Sequence, residues 1–116
     1  MDTSLYVGVW KYHFEENDEN SGGYIVTLKS TGETTGVFDV EVQEQSPGAA
    51  FINGSGGTIG LSSGKGTYEF DGDANDNAGL VEIELANGEI IYRKKMYTKN
   101  SGRFNEDIEV NLKKEQ

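Results

Sequence analysis

Apolar and polar residues alternate with period two along most of this chain, and glycine cuts the alternation at short intervals. The clearest unit is Leu85-Ala86-Asn87-Gly88-Glu89-Ile90, where apolar alternation runs up to and away from an Asn-Gly pair. Asn-Gly supplies the two positive-φ residues that a tight type I′ turn requires, so this segment predicts a hairpin pairing Leu85 with Ile90, Ile83 with Tyr92 and Val81 with Lys94. On the other face Glu82 and Glu84 then meet Arg93 and Lys95 in solvent. The same reading places strands near 5–14, 23–30, 35–44, 49–53, 57–62, 66–71, 79–86, 89–99 and 106–113. In the first, Tyr6, Trp10, Tyr12 and Phe14 share a face with Gly8, and Leu5, Val7 and Val9 take the other, which predicts a strand buried on both sides. The run Asn53-Gly54-Ser55-Gly56-Gly57 reads as a flexible turn between two strands. No stretch free of glycine shows a stable helical stripe.

Eight or nine short strands at near-regular spacing predict an all-β chain, a single domain over 1–116, and a small antiparallel up-and-down barrel, with a sandwich as the alternative. Gly8-Val9-Trp10 resembles the Gly-x-Trp signature that opens the first strand of lipocalins and other calycins. The resemblance implies a barrel closed at one end by Trp10, with a basic residue from a late strand packed over it, for which Arg93 is the natural choice. It also implies an open end that takes a small apolar ligand. The chain is short for that family and lacks its cysteines and its C-terminal helix.

Composition changes this picture in three ways. The 116 residues carry a net charge of −10, which argues against a nucleic-acid backbone as ligand, since that affinity depends on cations neutralising phosphates. The charge is uneven: residues 1–86 hold 15 acids against Lys11, Lys29 and Lys65, and residues 87–116 hold 5 acids against 7 bases. An acidic surface of this kind keeps a protein dispersed or meets a basic partner. With no cysteine, disulfides and thiolate metal sites are excluded, and no apolar run reaches the length of a membrane-spanning helix. The opening residues have no basic flank or apolar stretch of a signal peptide, and the richness in Asn, Gly, Tyr and Thr suggests an extracytoplasmic protein whose leader has been removed.

Candidate chemistry is sparse. Asp71-Gly72-Asp73-Ala74-Asn75-Asp76-Asn77 places oxygen donors at the first, third and fifth positions of a calcium loop, but Asp76 stands where that loop needs glycine, and strands flank it. An EF-hand is therefore excluded, which leaves a looser calcium turn on Asp71, Asp73, Asn75 and Asp76 or an ordinary Asx-rich hairpin loop. His13 is the lone histidine, so a multi-histidine zinc site is impossible, and its strand position reads as a half-exposed residue. Gly60-Leu61-Ser62-Ser63-Gly64-Lys65-Gly66 has the wrong spacing for a phosphate loop and no helix after it. In Arg93-Lys94-Lys95, alternation sends Lys94 to the face of Ile90, Tyr92 and Met96, pointing inward toward an anionic ligand group or reaching water from the strand end.

Neither a nucleophile with its base nor a spaced carboxylate pair is apparent, so the expectation is a binding protein without enzymatic activity. Its pocket would be lined by Tyr24, Val26, Tyr68, Phe70, Tyr92 and Lys94 and would carry a small apolar molecule. The alternative is an interaction or inhibitor module whose acidic loops at 15–20 and 71–77 meet a basic protein.

Overall fold

A computed structural model describes residues 3–15, 18–31, 36–48, 50–71, 77–98 and 104–115. Eight strands follow in chain order: β1 Gly8–His13, β2 Gly23–Ser30, β3 Val37–Ser46, β4 Ala50–Gly60, β5 Lys65–Asp71, β6 Asn77–Ala86, β7 Glu89–Thr98 and β8 Phe104–Lys114. Two short 3-10 helices, Thr3–Tyr6 and Glu19–Ser21, complete the regular structure of the described residues. Every ladder is antiparallel, and the spatial order is β4-β3-β2-β1-β8-β7-β6-β5. The result is a nearly closed, barrel-shaped sheet made of two four-stranded meanders, β1–β4 and β5–β8, joined where β1 meets β8.

Period-two alternation decides what goes inside. Trp10, Val26, Leu28, Phe38, Val40, Val42, Ile59, Tyr68, Phe70, Val81, Ile83, Leu85, Ile90, Tyr92 and Leu112 form one buried cluster. The hairpin pairs are those the sequence predicts, Leu85–Ile90, Ile83–Tyr92 and Val81–Lys94, and Asn87 and Gly88 adopt φ of 51° and 81°.

Three expectations are corrected. The first strand starts later than predicted: Leu5 and Tyr6 belong to a 3-10 helix, Leu5 is exposed, and Val7 and Val9 are only half-buried. Tyr6 folds back so that its ring stacks on Trp10 at 5.7 Å and its carbonyl accepts from Trp10 Nε1 at 2.9 Å. The segments 49–53 and 57–62 are a single strand, β4, and Asn53–Gly57 is its middle rather than a turn, paired residue by residue with β3. The glycines there have a packing reason. A Cβ on Gly57 would lie 3.1 Å from the Tyr68 ring, and one on Gly66 of β5 would lie 2.3 Å from the Gly60 carbonyl oxygen. β4 and β5 thus approach backbone to backbone, and Ser55 Oγ and Tyr68 OH share a hydrogen bond of 3.1 Å across this line. The sheet closes there by side-chain contact, with no ladder between the two strands in the described residues beyond the Ser62–Lys65 bridge at their turn.

The third correction concerns Arg93. It lies on the outer face of β7, where Nε donates to Glu109 at 2.5 Å and Nη1 donates to Glu82 and Glu84 at 2.6 and 2.9 Å. Those partners, Glu109 first, hold the guanidinium above its ordinary pKa. Alternation explains the difference, because Arg93 follows the inward Tyr92. The basic residue opposite Trp10 is Lys114 of β8, whose Cε would lie 3.0 Å from a Cβ on Gly8 and whose Nζ donates to the Leu5 carbonyl at 2.9 Å.

Candidate functional site

The six residues expected to line a pocket face the barrel interior, and they are packed together. Val26, Tyr68, Phe70, Tyr92 and Lys94 are buried, and half-buried Tyr24 meets the Tyr92 ring at 5.7 Å. Lys94 is 3 % exposed, so its head does not reach water from the strand end. Its ammonium lies 5.7 Å from the centre of the Phe70 ring and donates to Glu44, itself buried. The anion that meets this lysine is therefore the chain's own carboxylate. Glu44 sits at an irregularity in its ladder, between Glu44 and Gln45 in β3. Bulges of this kind re-aim side chains. Glu44 was legible: it continues the inward series Phe38, Val40, Val42.

Burial pushes the Tyr68 hydroxyl up to about 12, against a smaller lowering by its hydrogen bond to Ser55. Of the calcium candidates, Asp71 ends β5, and Asp73, Asn75 and Asp76 lie outside the described residues. Among the described residues no three of His, Asp and Glu gather as metal ligands, and no helix is long and apolar enough to cross a membrane.

A second site, which sequence reasoning missed, lies in the wall. Among the described residues the β1–β8 ladder consists of two pairs, Trp10–Lys114 and Lys11–Lys113, extended by a bond from Glu115 N–H to the Val9 carbonyl at 2.8 Å. Beyond them the two strands border an open groove of about 970 Å³ lined by Lys11, Tyr12, His13 and Phe14 on one side and Asn111, Lys113, Lys114 and Glu115 on the other, with Asp18 and Asn20 at its edge. In an antiparallel pair, alternate residues point their N–H and C=O at the neighbouring strand. The Val9–Glu115 bond fixes that parity. It directs the main-chain groups of His13 and Asn111 into the gap, where no ladder pair joins them.

Residues of both parities line this groove. Phe14, 48 % exposed, packs edge-on against Tyr12 and Tyr24 at 6.1 and 5.6 Å. Tyr12 stacks on Tyr24 at 6.0 Å, and Tyr24 meets fully buried Tyr92. An aromatic row thus runs from the groove to the centre of the barrel, and two of its members, Tyr24 and Tyr92, are among the residues the sequence assigns to a pocket. The missing signal was long-range: nothing local to β1 or β8 says that the first and last strands pair and then part.

No protein-family model, curated protein or solved structure matches this chain.

Proposed function

We propose that this chain is a non-enzymatic binding protein for a small molecule with an apolar body, entering at the parting of β1 and β8. The observation that carries this reading is the aromatic row Phe14–Tyr12–Tyr24–Tyr92, whose outer end is open to solvent in the groove and whose inner end is in the core. Binding sites for small ligands are concave, largely aromatic and apolar, and carry a few polar groups that orient the ligand. The groove supplies both kinds of lining. A ligand laid on Phe14 and Tyr12 removes from water a phenyl ring that folding leaves half-exposed, at about 25 cal/mol per Å² of apolar surface covered.

A fluorescent fatty-acid analogue titrated into the native protein tests the reading. Saturable binding is expected, competed by other apolar molecules and weakened several-fold in Phe14→Ala. The absence of saturable binding, or binding indifferent to Phe14→Ala, would remove the groove as the site.

A further inference from the structure

Resting on that reading, we propose that the ligand is an anion, an apolar or aromatic molecule whose carboxylate, sulfonate or phosphate group is held between Lys11 and Lys113. The placement of charge points to it. In a chain of net charge −10, the groove is one place where cations prevail, its three lysines outnumbering its two carboxylates. Lys11 and Lys113 stand directly opposite each other in the ladder. Like charges in that position repel across a Cβ separation of roughly 5 Å, and here they do so in one of the two pairs that hold the meanders together. Glu115 offsets one of them, its carboxylate lying 3.0 Å from Lys11 Nζ. Lys113 has no ion-pair partner among the described residues and is exposed.

The main chain adds to this. The His13 and Asn111 N–H groups are directed into the gap next to the two ammoniums, and main-chain donors of fixed orientation beside lysines are a suitable receptor for a multi-oxygen anion. The His13 ring, half-buried at the same edge, adds a donor. An anionic head at this point leaves the body of the ligand over Tyr12 and Phe14. Anion binding therefore does two things: it accepts from the main-chain N–H groups that the ladder leaves open, and it relieves the Lys11–Lys113 repulsion.

Two dyes that differ in one group test the inference. 8-Anilinonaphthalene-1-sulfonate and N-phenyl-1-naphthylamine share an arylamine body, and the first alone carries the sulfonate. Titrated into the native protein at low salt, the sulfonate should bind at least tenfold more tightly than the neutral amine. Lys113→Glu should abolish that preference, bringing the affinity for the sulfonate down to that for the neutral amine. Because it replaces a like-charge pair by an opposite one, Lys113→Glu should also unfold at no lower a midpoint than the parent, which separates loss of the site from loss of the fold. Equal affinity for the two dyes would overturn the anionic assignment and leave an apolar groove standing. A sulfonate preference that survives Lys113→Glu and Lys11→Gln would place the anion elsewhere and overturn it as well. Failure of both dyes to bind would overturn this inference together with the function on which it rests.

Discussion

At the scale of single residues, three positions illustrate how burial sets energetics. Trp10 is 2 % exposed, stacked on Tyr6 and bonded to its carbonyl, so Trp10→Ala is expected to cost on the order of 3–5 kcal/mol in chemical denaturation. A loss below about 1 kcal/mol would mean that this end of the barrel is not held by the indole. Lys94 and Glu44 behave as a unit. Glu44→Leu or Lys94→Met alone removes one partner of a buried ion pair and should cost about 3–5 kcal/mol, whereas the double variant Glu44→Leu/Lys94→Met should be at least as stable as the parent. A double-mutant cycle with additive losses would show that the pair contributes no coupling. Tyr68 gives the pH dependence. Below pH 10 the folded and unfolded states both keep its proton; between there and about 12 the unfolded chain releases it and the folded chain does not. Stability therefore falls over that window, by about 2–3 kcal/mol, and Tyr68→Phe should remove this part of the alkaline slope.

At the scale of elements, the lesson concerns which pairings a sequence can announce. Six of the seven ladders join strands adjacent in the chain, and for those the period-two pattern and turn residues were sufficient: β2, β5, β6 and β7 fall close to the predicted limits, and the Asn87-Gly88 turn and its register follow from local chemistry. Two kinds of feature were not legible. A glycine run is ambiguous, because glycine serves a turn by its conformational freedom and a strand by lacking a side chain. Gly57 serves β4 in the second way under the Tyr68 ring, and Gly56 does so against the Val40 carbonyl of β3. The β1–β8 groove depends on strands about a hundred residues apart, and no local pattern records where such a pair separates. The inward directions of Lys94 and Glu44 were both readable from parity, but that the two meet across the barrel was not. The β4–β5 approach gives a direct test. Gly66→Ala places a methyl group 2.3 Å from the Gly60 carbonyl oxygen, main chain that cannot swing aside, so a loss of about 1–3 kcal/mol is expected. Gly88→Ala, where no atom lies within 4 Å of the added carbon, should cost only the left-handed backbone penalty, about 1 kcal/mol. Equal costs at the two sites would contradict close approach as the reason for Gly66.

At the scale of the whole molecule, two meanders each assemble from neighbouring hairpins, and the barrel exists only once β1 finds β8. Hairpins form in microseconds, whereas joining Val9 to Glu115 closes a loop of about a hundred residues, an entropic cost of roughly 4 kcal/mol by (3/2)RT ln n. The groove is therefore expected to form last, at the shortest ladder among the described residues. That order has a kinetic consequence. A short flexible linker joining Glu115 to Thr3, with the chain reopened in the turn at 62–64 where β4 and β5 share no extended ladder, would turn the slow closure into one more hairpin. Such a circular permutant should refold faster than the parent while keeping the same spatial order of strands, and stopped-flow tryptophan fluorescence would follow Trp10 as it meets its neighbours. Unchanged refolding would place the rate-limiting step within a meander. In a molecule that closes last at the β1–β8 groove, anything bound there would act as a clasp, slowing the opening of the ring far more than it speeds its formation.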